Sequence, residues 1–402
     1  MIKTTVLPNG LKVVTENKKF NTISMGIYVN VGSLNETKEL SGISHVLEHM
    51  AFKGTKTKNA KQLSDQIESL GGNCNAYTTT NHTAYIVNIL PDYWKIGIDF
   101  LSDIIQNSTF PEEELEKERK VILQEIDMYE DDLSATSWTK LYESVYPNQA
   151  LGRPVIGTKE NVTKFTRDDL LDYVKKGYTT DKMVISIVGN VKHEEVVDYV
   201  KNTFTLLPNK NQLPVAQSKY EYHDITVESK FAQTIVVVSM ESDPLYHNNR
   251  HVSRLFRNIL DGGMSCRLFQ EVREKRGLVY SVGVINSSEI DTGLFGVWAA
   301  INKENIDETI TVIKDTLNTM LTDITEEELE KAKNIILHSQ AAKQDKVESI
   351  ANQNAIITLH GKKIRSFNSI KKKINSIKLE DVYKYAKHLL NNKYSITIVH
   401  SK

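Results

Sequence analysis

Two cysteines in 402 residues, Cys74 and Cys266, leave no disulfide framework to build. A chain so poor in thiols fits a reducing compartment. No apolar run approaches the roughly 20 residues that a membrane span needs. The opening stretch, MIKTTVLPNGLKVVTENKKF, lacks the apolar core that marks a signal peptide and reads as two strands around an Asn-Gly turn. Charge of either sign is not in excess: 50 basic residues meet 51 acidic ones. A net charge of -1 argues against nucleic acid or an anionic membrane as partner. These absences predict a cytoplasmic protein.

What is present is an ordinary globular composition, 40% apolar and 25% charged. The length predicts two or more domains, and a chain this long can bury a sizeable core without staples. An internal repeat sets their limits. EEELEKERKVILQEI at 112–126 recurs as EEELEKAKNIILHSQ at 326–340, an offset of 214. Strand-like stretches open each half, and a Gly-containing turn leads to further strands in each: GGNCNAYTTTNHTAYIVNIL and RGLVYSVGVINSSEIDTGLFGVWAAI. Each half closes on a strand, KMVISIVGNV and YSITIVHS. The polar, Pro-containing segment 207–220 reads as a linker between domains 1–206 and 221–402. Strands joined by hairpin-like turns and mixed with helices predict an α+β fold. Each domain is expected to be a mostly antiparallel sheet with helices packed on one face.

The repeat serves as an internal control. At the same offset, Glu118 corresponds to Ala332 and Glu125 to Ser339. The shared helix keeps its apolar positions and differs at these two acids. A solvated acidic face accounts for Glu112 to Glu116, but less well for Glu125, which shares a helical face with Val121 and Ile122. A carboxylate there calls for a cation or a donor.

The stretch SHVLEHMAFKG at 44–54 supplies the other half of a constellation. On a helix, His45, Glu48 and His49 project together from an apolar background of Val46, Leu47, Met50 and Ala51. Two imidazoles at i and i+4 can grip one metal ion. A tetrahedral catalytic zinc takes three protein ligands and keeps one position for water. Glu125 is the candidate third ligand. Glu48, between the histidines, suits a general base that takes a proton from water and passes it to a leaving amine. The second half holds a similar-looking pair, His247 and His251 in HNNRH, with Arg250 where Glu48 stands and no apolar setting. The lone His82, His193, His223, His338, His360, His388 and His400 read as structural or exposed.

His45-Val46-Leu47-Glu48-His49 is the inverted zinc motif. With its surroundings, GISHVLEHMAFKGT, it resembles the pitrilysin or insulinase-type metallopeptidases, in particular their short, processing-peptidase-like branch. The resemblance covers essentially the whole chain, including its two halves. It implies one Zn²⁺ per chain, held by His45, His49 and a Glu 76 residues beyond the second His, the position of Glu125. Glu118, seven residues earlier, matches a supporting acid of the family. GGNCNAYT resembles the edge strand on which these enzymes hold substrate as an added strand, through the main chain of Asn75, Ala76, Tyr77 and Thr78. REKRGLVYS resembles their Arg-Tyr pair, which implies Arg273 on a substrate carbonyl and Tyr280 on the oxyanion. One feature departs from the family. The two acids with which mitochondrial processing peptidases read a basic residue fall on Ala135 and Thr139, neither of them acidic, so the resemblance does not extend to arginine-directed cleavage, although Glu130, Asp131 and Asp132 lie nearby.

The reading is therefore a zinc endopeptidase acting on peptides or unfolded polypeptide segments. A non-catalytic scaffold or peptide-binding subunit of the same fold is its rival, but such a protein has no use for Glu48. A structural zinc site would close its fourth position with another Cys or His, and none neighbours the motif. The resemblance further implies a homodimer with composite sites, because zinc ligands and the Arg-Tyr pair lie in different halves of one short chain.

Overall fold

The structure, a computed structural model, describes residues 1–402. It forms two compact units. The first comprises Met1–Met128, Arg153–Ala216 and Lys343–Ile364. Its sheet holds β1 (Ile2–Val6), β2 (Lys12–Asn17), β3 (Ile23–Val29), β4 (Asn73–Thr78), β5 (Thr83–Ile89) and β6 (Met183–Gly189), in the order β1-β2-β6-β3-β5-β4. All neighbours run antiparallel except β2 and β6. β3 and β6, ISMGIYV and MVISIVG, are buried throughout. They read as apolar runs without alternation because both faces of the sheet are covered.

On one face, Val13, Met25, Ile27 and Ile185 pack against Val46 and Leu47 of the motif helix, Ile98 and Leu101 of the helix Trp94–Gln106, and Val196 of the helix His193–Thr203. On the other face, Val14, Tyr28 and Val184 meet Ala355 and Leu359 of the helix Val347–Leu359. Two alanines, Ala351 and Ala355, are fully buried and let that helix sit close to the strands. Ser186 Oγ donates to the Ala351 carbonyl at 2.7 Å, and Asn354 Nδ2 donates to Glu16 Oε2 at 2.9 Å. Overpacking such a contact costs about 1–3 kcal/mol, so a larger side chain at Ala351 is the single change that would loosen it most.

The second unit comprises Tyr129–Gly152, Gln217–Ala342 and Arg365–Lys402. Its strands are β7 (Ile225–Ser229), β8 (Thr234–Ser242), β9 (Val279–Ser288), β10 (Gly293–Ile301) and β11 (Ser395–Ser401), in the order β7-β11-β8-β10-β9. The one parallel pair is β7 with β11. Apart from the missing equivalent of β1, this order repeats that of the first sheet. The α+β reading holds for both units, and each sheet is mostly antiparallel.

Two features go beyond the expected plan. Helices cover both faces of the first sheet, not one. The units are also not contiguous in sequence. The helix Leu133–Val145 belongs to the second unit, where Trp138 meets Trp298 edge-on at 5.9 Å between ring centroids. The helix Val347–Leu359 belongs to the first. The two helices lie 214 residues apart, the offset of the repeat, so each half gives its helix to the other's sheet. The remaining chain crosses between units after Ala216, inside the expected linker 207–220. No helix is long and apolar enough to cross a membrane.

Candidate metal centre

The motif helix runs from Ile43 to Met50. Its N-terminus has no side chain of its own to cap it, since the preceding residue is Gly42 with φ +99°. Glu36 supplies the cap from a distance: its carboxylate accepts from the backbone N–H of Gly42 at 2.8 Å and of Ser44 at 2.9 Å. Burial raises the Glu36 carboxyl, while these bonds and Arg153 oppose the rise. A Cβ at Gly42 would lie 2.7 Å from the Gly157 Cα, so glycine is required there on two counts. Val46, Leu47 and Met50 anchor the helix in the core, which leaves His45, Glu48 and His49 on the remaining face.

The long helix Glu112–Glu130 brings the acids. Its buried face, Leu115, Glu118, Ile122 and Ile126, fixes its rotation. Arg119 locks it in place, donating to the carbonyls of Phe165 (2.7 Å) and Val162. Glu125 Oε2 then lies 3.8 Å from His45 Nε2 and 3.6 Å from His49 Nε2. One donor atom from each of the three residues falls within 4.8 Å of the others. Zinc bonds of 2.0–2.2 Å give tetrahedral edges of about 3.3–3.6 Å, so the three groups fit one ion with little adjustment. No other His, Cys or acid joins them.

The surroundings prepare the histidines. Glu118 is 8% exposed and lies 3.0 Å from His49 Nδ1 through Oε2. A carboxylate only accepts, so Nδ1 carries the proton and Nε2 offers its lone pair towards Glu125. Lys53 Nζ holds the other Glu118 oxygen at 2.7 Å. Burial opposes ionisation of Glu118, but the hydrogen bonds from His49 and Lys53 prevail and hold its carboxyl below the usual range. Burial pulls His49 down, yet Glu118 and the charges of Glu48 and Glu125 raise it overall. Burial, with His49 alongside, pushes His45 down to about 4, which keeps its ring neutral and able to bind a metal. His45 Nδ1 is buried without a partner.

Glu48 is raised, chiefly by burial; a hydrogen bond from Thr78 opposes the rise. Thr78 Oγ1 donates to Glu48 Oε2 at 2.6 Å. One carboxylate oxygen is thus held and the other is left for chemistry. Thr78 ends β4, which is an edge strand paired only with β5. Asn75, Ala76, Tyr77 and Thr78 face Ile86, Tyr85, Ala84 and Thr83 across that ladder. The Asn75 side chain accepts from the Ala76 N–H at 2.9 Å, and Tyr77 OH donates to Asn352 at 2.6 Å.

Arg273 and Tyr280 belong to the second unit. Arg273 lies in a π-helical turn, Phe269–Glu274, with its guanidinium 5.0 Å from the Phe269 ring centroid and 5.5 Å from that of Tyr280. Tyr280 is 76% exposed on β9. The second-half histidines do not make a pair: His247 precedes the helix Arg250–Asp261 and bonds Asp243 at 3.2 Å, while His251 is buried in the helix's first turn. Asp132 caps the helix Leu133–Val145 through the Ala135 N–H at 2.7 Å, and Asp131 pairs with Lys230, so both of these acids near Ala135 and Thr139 are already engaged.

Sequence reasoning missed Glu36, Lys53 and the bond between Thr78 and Glu48. The last two depend on how strands and helices meet. Only Lys53 left a trace, four residues past His49 and so on its face.

The chain is similar to known proteins along nearly its whole length. Residues 12–159 match the family model described as insulinase (peptidase family M16), and residues 164–336 match that described as peptidase M16 inactive domain. An uncharacterized zinc protease of Rickettsia bellii is 34% identical over 399 residues, covering 98% of this chain and 96% of that protein. One of Bacillus subtilis is 32% identical over 403 residues, covering 99% and 98%. Among solved structures, a protease from Helicobacter pylori aligns with a TM-score of 0.92 at 20% identity, covering 100% of this chain and 99% of that one. A peptidase M16 inactive domain from Pseudomonas fluorescens gives 0.92 at 18% identity, covering 100% and 98%.

Proposed function

The chain belongs to the insulinase family of peptidases, M16, and we propose that it is a zinc-dependent endopeptidase cleaving peptides or unfolded polypeptide segments. The observation that carries this reading is the convergence of His45 Nε2, His49 Nε2 and a Glu125 oxygen within 4.8 Å, with Glu48 beside them. His45, His49 and Glu125 would hold one zinc, which when bound supplies a Lewis acid for the scissile carbonyl and acidifies water to a pKa of about 7.

The rest falls to the chain's own groups. Glu48 takes the proton of the attacking water on the oxygen that Thr78 leaves free, and returns it to the leaving amine nitrogen. The raised Glu48 carboxyl is suited to that return, because a strongly acidic group would hold no proton to give. Glu118 keeps the His49 ring in the tautomer that aims Nε2 at the site. The open edge of β4 would receive the peptide backbone as an added strand. A scaffold role is less favoured: a binding protein gains nothing from a buried carboxylate held beside two histidines.

The resemblance to longer family members supports a further step. In those, two units like this chain are joined, with zinc ligands in the first quarter and the Arg-Tyr pair in the last. Here Arg273 and Tyr280 would serve the site of a second protomer, Arg273 on a substrate carbonyl and Tyr280 on the oxyanion, in a two-fold homodimer.

Zinc content and peptide hydrolysis test the first part. One zinc per chain is expected, with activity lost to a chelator and restored by zinc; Glu125→Ser, which copies the second half, should lose most of the metal. Full occupancy in Glu125→Ser would remove Glu125 from the ligand set. Mixing Glu48→Gln with Tyr280→Phe under verified subunit exchange tests the second part. Activity should return towards about a quarter of wild type for random mixing, and no recovery would refute the composite site.

A further inference from the structure

The second unit repeats the strand order of the first apart from β1, and the helix Arg250–Asp261 stands where the motif helix stands in the first. One lies between β8 and the β9–β10 hairpin, the other between β3 and the β4–β5 hairpin. In place of metal ligands, the later helix carries cations. Arg250, Arg254 and Arg257 lie at i, i+4 and i+7 and share one face. Arg257 has a partner, Asp261, at 3.2 Å. Arg250 and Arg254 are half-buried, and neither has a carboxylate within ion-pair distance. Arg250 is repelled by Arg365 and Arg254 by Arg257, which does nothing for folding. Beside them lies His251, 8% exposed, with no hydrogen-bond partner at either ring nitrogen.

The charges that act on His251 are all cationic. Burial lowers its ring to about 4, and Arg250, Arg254, Arg365 and Lys373 add to the shift. The ring is therefore neutral, with one donor and one acceptor unused. Arg365 and Lys373 are exposed and also lack an acidic partner. Four cations without acidic partners, two of them half-buried on one helix face, form a site that an anion would complete.

We propose that this face of the helix Arg250–Asp261 binds acidic stretches of an extended peptide, through Arg250 and Arg254 with Arg365 and Lys373 at the margin. Spacing favours a peptide over a compact anion. Arg250 and Arg254 are offset by about 6 Å along the helix, and alternate side chains of an extended strand by about 6.6–6.8 Å. Carboxylates on one side of an extended chain thus match successive guanidiniums. This inference rests on the peptidase reading for the nature of its ligand, and predicts a preference for substrates with acidic residues at alternate positions.

The test uses full-length Glu48→Gln protein loaded with zinc, so that bound peptide is not consumed. Two fluorescein-labelled peptides, one with Glu at alternate positions and one with Gln there, are titrated by anisotropy at low and high salt. The Glu peptide should bind about tenfold tighter at low salt, and the advantage should shrink as salt rises. Arg250→Gln with Arg254→Gln should abolish the advantage. Arg365→Gln with Lys373→Gln, at exposed positions where misfolding is not a concern, should reduce it. Equal affinity for the two peptides, or an advantage unchanged in both double variants, would overturn the proposal. So would pyrophosphate displacing the Glu peptide at concentrations well below those of unlabelled Glu peptide, which would assign the site to small phosphates. Binding is read without turnover, so a failed peptidase reading would appear separately, as wild-type protein that prefers the Glu peptide but hydrolyses neither.

Discussion

Replacing Glu118 isolates how much of the metal centre is built outside its ligands. The carboxylate is 8% exposed and joins two groups: His49 Nδ1 at 3.0 Å and Lys53 Nζ at 2.7 Å. Glu118→Ala removes both partners. His49 then loses the acceptor that fixes its tautomer, and metal affinity should fall roughly 10–100-fold, or about 1.4–2.7 kcal/mol. Glu118→Gln keeps an oxygen for Nδ1 but no charge. Neutral hydrogen bonds are roughly half as strong as charge-assisted ones, so its loss should sit near the lower end of that range. Lys53→Met leaves Glu118 in place and should cost less than either. Lys53 is 29% exposed, so the stability penalty of leaving it unpaired in Glu118→Ala should reach only about 1–2 kcal/mol, below that of a fully buried pair. Zinc affinity is measured by competition with a chromophoric chelator, and folding by urea unfolding of the metal-free proteins. Affinities of all three variants within twofold of wild type would refute the role given to Glu118.

Thr78→Val should retain zinc and fold normally, yet lower kcat by about 10-fold as Glu48 loses its hydrogen bond, whereas Thr78→Ser should restore most of it; equal rates for Val and Ser would detach Thr78 from the base. His82, 7% exposed, is lowered by burial to about 4 from 6.5. Its unfolded form therefore takes up a proton first as pH falls. Its contribution is flat above pH 6.5 and turns against the fold between 6.5 and 4, by about 2 kcal/mol at pH 5. Urea unfolding at pH 7 and pH 5 should show that loss in wild type and a smaller one in His82→Gln; parallel losses would contradict the assignment.

The candidate site was legible where its chemistry follows helical spacing. His45, Glu48 and His49 share a face by covalent geometry alone, and the repeat marked Glu118 and Glu125 by showing the same helix without them. The repeat also predicted two sheets of like topology. It did not reveal which sheet each helix covers. Leu133–Val145 and Val347–Leu359 exchange partners, and covalent order carries no record of that choice. A trace was present, since Ala351 and Ala355 make one side of the second helix small enough to lie close on a sheet. Glu36 and Thr78 were illegible for a related reason. Glu36 caps a helix from outside it, and Thr78 reaches Glu48 only once β4 is registered on β5.

The central claim is that this constellation hydrolyses peptide bonds with Glu48 as the base. Glu48→Gln tests it most directly, because the side chain keeps its volume and its bond to Thr78 but cannot accept the proton. Zinc content and the rate of cleavage of an unfolded polypeptide are measured on the same preparation. Zinc should remain at one per chain, while turnover should drop by at least about 10²–10⁴-fold. Turnover near wild type with zinc retained would contradict the account.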